Sequence, residues 1–233
     1  MRTFYDPHIE ASAEKHQLSE EESKHIVRVL RMNEGEQLAL VNGKGVYFEA
    51  TITQAHPKRC SVKIDRTEIK ELPTNQIHIA LGPTKLMERI EWFVEKATEI
   101  GITEISFVSG KNSERIKLKP ERLEKKAVSA MKQSKRLFLP KINELISVSE
   151  FITKFPNGLI AHCEDGEKST IFEVFETTNC PILIGPEGDF SPDEIASALE
   201  NGYKTITLGE NRLRTETAAL YACVCAQVKI DSL

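Results

Sequence analysis

Two rhythms of apolar and polar residues divide the chain. Over residues 1–70 the apolar positions alternate, the pattern of half-buried strands. Gln37-Leu-Ala-Leu-Val41, the turn Asn42-Gly-Lys-Gly45 and Val46-Tyr-Phe-Glu-Ala-Thr-Ile52 read as a hairpin, and Cys60-Ser-Val-Lys-Ile64 alternates likewise. One helix precedes them, opened by Ser19 and Glu22 as a capping box, with Ile26, Val29 and Leu30 as its apolar stripe. A small β-barrel is the economical arrangement. The polar stretch from Glu68 to Asn75, which contains Pro73, sets the boundary between a first domain at 1–70 and a second at 71–233.

From Gln76 onward, short apolar runs alternate with helical periodicity. Ile77 to Leu81 reads as a strand ending at Gly82-Pro83. A helix from Lys85 to Ile100 follows, with Ile90, Phe93, Val94, Ala97 and Ile100 on one face and Gly101 just beyond. Ile102 to Val108, Gly158 to Cys163, 180–184 and 205–208 read as further strands. Pro120 to Gln133, 192–201 and Thr215 to Ile230 read as helices. Such alternation predicts an α/β domain whose parallel sheet is covered on both faces.

Two glycine turns follow late strands: Gly185-Pro-Glu-Gly188 after 180–184, and Leu208-Gly209 after 205–208. Loops at the carboxyl ends of parallel strands line the ligand crevice of open α/β sheets, so both turns are expected to open into one crevice. Glycine there lets backbone approach a ligand. The Lys-Ser/Thr pair of a P-loop and the spaced glycines of a dinucleotide fingerprint are missing, which turns the reading away from a triphosphate or NAD. A purely structural reading also stands, in which the first turn only starts a helix with Ser191 as N-cap, Pro192 at the first position and Glu194 completing a capping box.

The chain of 233 residues carries a net charge of −4, an average that hides a strong asymmetry. Residues 111–141 hold 11 Lys/Arg against 3 Asp/Glu, a local +8, so the remainder carries −12; residues 150–201 hold 11 acids against 2 bases. A local basic patch is what phosphate binding needs, whatever the average; the other reading is an ordinary solvated helix face. Five cysteines without a Cys-x-x-Cys pair disfavour a disulfide framework and a zinc site, and Cys223 and Cys225 read as buried free thiols. No apolar run reaches transmembrane length and no signal-peptide stretch opens the sequence, so a cytoplasmic location is expected.

Taken in order, His25-Ile-Val-Arg-Val-Leu-Arg31 with Gly35, Lys85 to Gly101, Gln133-Ser134 with Arg136 and Pro140, and the two turns with Leu208-Gly-Glu-Asn-Arg-Leu-Arg-Thr-Glu-Thr-Ala218 form a specific set. In these the chain resembles the bacterial 16S ribosomal RNA (uridine-N3)-methyltransferase family of the SPOUT class. Two departures stand out: Asp189 occupies a place where the family usually has a third glycine, and Asn211-Arg212 replaces a more usual Arg-Ile. The resemblance implies a PUA-like barrel that holds RNA, a trefoil-knotted parallel-sheet domain, S-adenosylmethionine as cofactor, and a homodimer that builds each active site from both chains. Carried over by position, the cofactor residues are His162, Cys163, Gly185, Pro186, Glu187 and Gly188 on one side. Leu208, Gly209, Leu213, Arg214, Thr217 and Ala218 complete the set on the other.

Uridine N3 becomes a good nucleophile only as its imide proton leaves, which spreads negative charge to the flanking carbonyl oxygens. Cationic donors aimed at those oxygens favour the anion. Arg214 is the first candidate and Arg136 the second; Glu216 is read as orienting Arg214 or accepting the proton, or else as a carboxylate complementing a helix dipole. Arg2, His25, Arg31 and Lys44 of the barrel, with Lys132, Gln133, Ser134, Lys135 and Arg136 of the basic segment, are the candidate RNA contacts, surface placement being the other reading for the barrel four. The lone Trp92 reads as packing. Two alternatives remain: a non-catalytic RNA-binding protein of ribosome assembly, whose turns are structural, and a SPOUT methyltransferase acting on a ribose hydroxyl or another base of RNA.

Overall fold

A computed structural model describes residues 1–114, 117–178 and 180–233. Arg115, in the basic segment, lies outside the described residues. By backbone contacts the chain forms two compact units: Met1–Leu72 with Met131–Leu139, and Pro73–Ala130 with Pro140–Leu233.

The first unit is a curled sheet. Its elements are β1 (Thr3–Tyr5), β2 (Lys15–Gln17), helix α1 (Glu20–Lys24) running into a wide π-type turn (His25–Val29), β3 (Gln37–Val41), β4 (Val46–Gln54) and β5 (Ser61–Ile69). Among the described residues the strand order is β1-β3-β4-β5-β2, with β1 parallel to β3 and the other pairs antiparallel. Strict alternation along β4 puts Val46, Phe48, Ala50 and Ile52 on the buried face, where they meet Phe4, Ile26, Leu38, Leu40 and Val62. The helix departs from its expected stripe: Ile26 is buried but Val29 is exposed, because both lie in the wide π-type turn, whose period differs from that of an α-helix. Ser19 caps α1 through the Glu22 amide at 3.2 Å, yet the Glu22 carboxylate does not close the box. It instead reaches Lys132 Nζ at 3.1 Å and His25 Nδ1 at 3.4 Å. The segment Met131–Leu139 is clipped to the hairpin turn by Gly45 N–H donating to the Leu137 carbonyl and Leu139 N–H to that of Gly43, both at 2.9 Å.

The second unit contains β6 (His78–Leu81), α2 (Met87–Ile100), β7 (Glu104–Ser109), most of α3 (Pro120–Ser134), β8 (Lys141–Ser147), α4 (Val148–Lys154), β9 (Leu159–Ala161), β10 (Ser169–Thr170), α5 (Ile171–Val174), β11 (Ile182–Ile184), α6 (Pro192–Glu200), β12 (Lys204–Thr207) and α7 (Thr215–Asp231). Among the described residues seven strands form one sheet in the order β10-β12-β9-β11-β6-β7-β8, every neighbouring pair parallel. This is the α/β class, with a parallel-sheet domain and a small curled sheet. The central strands β6, β7 and β11 are apolar on both faces, as a covered parallel sheet requires. One face packs on Phe151, Ile152, Phe190, Ile195 and Tyr203. On the other side, α2 offers Ile90, Phe93, Val94 and Ala97 and α7 offers Ala218, Ala219, Ala222, Cys223 and Ala226; these small residues let the two helices lie close. The short elements β1, β2, β8, α4, β10 and α5 carry no signal in the sequence reading.

Beside the sheet, His78 lies edge-on to Phe151 and Phe155 and bonds Ser106 Oγ at 2.8 Å. Burial, aided by the Lys141 charge and opposed by the Glu104 carboxylate, lowers its pKa from 6.5 to about 4. The folded state therefore favours the neutral imidazole. The associated stability is fully present above about pH 6.5 and is lost as pH falls toward about 4. A His78→Gln variant keeps a donor for Ser106 without a titrating ring. Urea melts at pH 7, 5 and 4 are expected to show wild type losing on the order of 3 kcal/mol more than the variant over this range.

Candidate functional site

Because all strands of the second unit run one way, the loops after β6, β9, β11 and β12 emerge along one edge of the sheet. The loop after β11 is Gly185 to Ser191, closed by the expected capping box: Ser191 N–H and Oγ–H donate to Glu194 Oε2 at 2.8 and 2.9 Å, and the Glu194 amide donates back to Ser191 Oγ. It lies directly on the end of β6. A Cβ on Gly82 would stand 2.6 Å from Pro186 N, a backbone atom that cannot swing aside.

Contacts with four other segments fix this loop. Asn112 Nδ2, after β7, donates to the Gly188 and Asp189 carbonyls at 3.1 and 3.2 Å. The Glu187 carboxylate accepts from the Lys85 amide at 3.2 Å and pairs with Arg89 Nη1 at 3.3 Å. The Cys163 amide, just past β9, donates to Asp189 Oδ2 at 2.6 Å. Thr215 Oγ–H, the first residue of α7, donates to the Gly185 carbonyl at 3.0 Å, so the loop between β12 and α7 is tied to the loop after β11. The two glycine turns thus share one region.

The second loop runs from Leu208 to Arg214. Gly209 has φ +110, a conformation that side chains rarely adopt, and open space where a Cβ would be. Leu213 is half-buried, Thr217 is exposed and Ala218 is packed inward. Arg214 is the N-cap of α7 and exposed; its carbonyl accepts from the Ala218 amide at 2.8 Å, and its guanidinium makes no hydrogen bond or ion pair among the described residues. Glu216, two residues on, is buried; its Oε1 lies 3.6 Å from Arg89 Nε, while Oε2 is buried without a partner. Glu88, Arg89, Trp92, Glu216 and Thr217 line a recess of about 290 Å³. Trp92 corrects the packing assignment: it is 42% exposed, because the helix turns its inward face, Phe93 and Val94, away from it.

His162 sits beside this loop pair with both ring nitrogens buried and unpartnered. Burial and the Lys168 charge hold its pKa below the usual value against Asp189 and Glu164. Cys163 is exposed, as its place beyond the strand end dictates; Cys223 and Cys225 are buried as expected, and so are Cys60 and Cys180. No His/Cys/Asp/Glu group among the described residues is arranged to hold a metal ion.

All nine candidate RNA contacts, Arg136 among them, fall in the first unit, whereas Arg214 and Glu216 belong to the second. Arg2, Arg31, Lys44, Gln133 and Lys135 are exposed there, while Lys132 and His25 share Glu22; Ser134 and Arg136 are half-buried. Arg89, Asn112 and Thr215 support the site without having been assigned a role from sequence. Arg89 and Thr215 stand inside the motifs that carry the resemblance, but their partners are distant in the chain, so spacing gave no sign of them.

An RNA methyltransferase domain model matches residues 70–227, and an RNA methyltransferase PUA domain model matches residues 18–65. The ribosomal RNA small subunit methyltransferase E of Rickettsia conorii is 30% identical over 226 residues, covering 94% of this chain and 91% of its own. A probable rRNA-methyltransferase from Porphyromonas gingivalis superposes with a TM-score of 0.88 at 39% identity, over 100% of this chain and 99% of its own. The ribosomal RNA small subunit methyltransferase E of Neisseria gonorrhoeae, solved bound to S-adenosyl methionine, does so with a TM-score of 0.85 at 25% identity over 98% and 97%. The chain belongs to this RNA methyltransferase family, that of the bacterial ribosomal RNA small subunit methyltransferases E.

Proposed function

We propose that the protein uses S-adenosylmethionine to methylate N3 of a uridine in 16S rRNA of the small ribosomal subunit, in the cytoplasm. The observation that carries this reading is the tie between the two glycine loops, Thr215 Oγ–H to the Gly185 carbonyl, beside the unpartnered nitrogens of His162. The region fits a polar cofactor: main-chain groups at Gly185–Gly188 and Leu208–Gly209 would hold it, with His162, Cys163, Leu213, Arg214, Thr217 and Ala218 around them. When bound, the cofactor supplies an electrophilic methyl group on a sulfonium.

The protein's own contribution is placement and charge. The attacking nitrogen must lie about 3 Å from the methyl carbon and on its bond axis, which fixed loops achieve better than mobile ones. Arg214, exposed at the N-cap of α7 with no competing acceptor, donates to a uridine carbonyl oxygen and favours the N3 anion. Arg136 is the second donor. Glu216 is held by Arg89, which leaves its buried Oε2 as the candidate proton acceptor. Arg2, His25, Arg31 and Lys44, with Lys132, Gln133, Ser134, Lys135 and Arg136, hold RNA phosphates and set register.

The active form is a homodimer. Along α7 the exposed residues are Thr217, Tyr221, Val224, Val228 and Asp231; Tyr221, Val224 and Val228 form an apolar stripe at spacings of three and four, and Trp92 of α2 is exposed beside Thr217. Such an exposed apolar helical stripe suits a second copy of itself.

Incubation with 16S rRNA or small subunits lacking the modification, with mass spectrometry of the nucleosides, tests the reaction. N3-methyluridine is expected; methyl groups on ribose or another base, or none, would contradict it. Arg214→Ala is expected to lower kcat on the order of 10²-fold with cofactor Kd changed less than about threefold; equal losses in both would remove its role. Val224→Asp is expected to give monomers in sedimentation, and a retained dimer would place the interface elsewhere.

A further inference from the structure

Asp189 is strained, engaged and unneutralised. Its φ of +61 lies in the left-handed region, where a glycine would sit without cost and Asp is tolerated. Its carboxylate bridges two loops: Oδ2 accepts the Cys163 amide at 2.6 Å and Oδ1 accepts the Phe190 amide at 2.8 Å. Oδ1 also leans over Gly185, where a Cβ would come within 2.8 Å of it. No cation among the described residues pairs with it, although exposed bases stand on the neighbouring loops. Burial, then the Asp189 charge, raises the neighbouring Cys163 thiol against the smaller opposing effects of Arg212 and Lys168, so the field of the carboxylate outweighs theirs at that thiol.

We propose that Asp189 makes this site prefer the charged methyl donor over its spent product. S-adenosylmethionine carries a sulfonium cation, whereas S-adenosylhomocysteine, formed when the methyl leaves, has a neutral thioether at the same place. An unbalanced carboxylate at the junction of the His162–Cys163 and Gly185–Gly188 loops attracts the former and is indifferent to the latter. It thereby favours the donor over the product in competition for the site. The bridge to Cys163 is a separate, structural role that an amide oxygen can share. This inference rests on the proposed placement of the cofactor between the glycine loops.

The test is calorimetric titration of wild type, Asp189→Asn and Asp189→Gly with each of the two ligands. Asp189→Asn keeps an acceptor for a backbone amide and tolerates the left-handed conformation but removes the charge. It is expected to weaken S-adenosylmethionine roughly tenfold while changing S-adenosylhomocysteine less than about twofold. Asp189→Gly removes bridge and charge, and is expected to show the same selective loss for the donor. Equal changes for both ligands, or none, would overturn the charge role while leaving the placement of the cofactor intact. Unchanged binding of both ligands to a Gly209→Val variant would instead overturn that placement, and this inference with it.

Discussion

Seven strands that all run the same way put every carboxyl end on one edge of the sheet, and the rest of the molecule's second unit answers to that constraint. A parallel strand cannot be joined to its neighbour by a tight turn, so each connection must cross the sheet and return. The loops after β6, β9, β11 and β12 consequently crowd one edge. They fit there only because Gly82 admits the Pro186 backbone, and they hold because Asn112, Arg89, Asp189 and Thr215 reach between them.

Charge is distributed accordingly. Glu187 and Glu216 share Arg89, which leaves one buried carboxylate oxygen without a partner, while Arg214 on the adjoining loop is unengaged among the described residues. In the first unit the Glu22 carboxylate meets Lys132 Nζ and His25 Nδ1, while Arg2, Arg31, Lys44 and Lys135 are exposed.

Features set by near neighbours were legible in the sequence. The alternation of β4, the capping box of Ser191 and Glu194, the glycine after α2 and the run of strand and helix all depend on residues within one or two turns of each other. What escaped depends on residues far apart in the chain. Glu22 leaves its local box for Lys132, 110 positions on, and Glu187 meets Arg89 across 98. The π-type turn that turns Val29 outward and the exposure of Trp92 follow from packing that no periodicity encodes. Asp189 was visible as an unusual residue in its place, but its bond to Cys163 joins two loops that only the fold brings together.

That fold-made meeting of loops is the central claim, and a crystal structure of the protein grown with S-adenosylmethionine examines it most directly. The cofactor is expected against main-chain groups of both Gly185–Gly188 and Leu208–Gly209, beside His162. Cofactor lodged elsewhere, or held by one loop with the other turned away, would contradict the account.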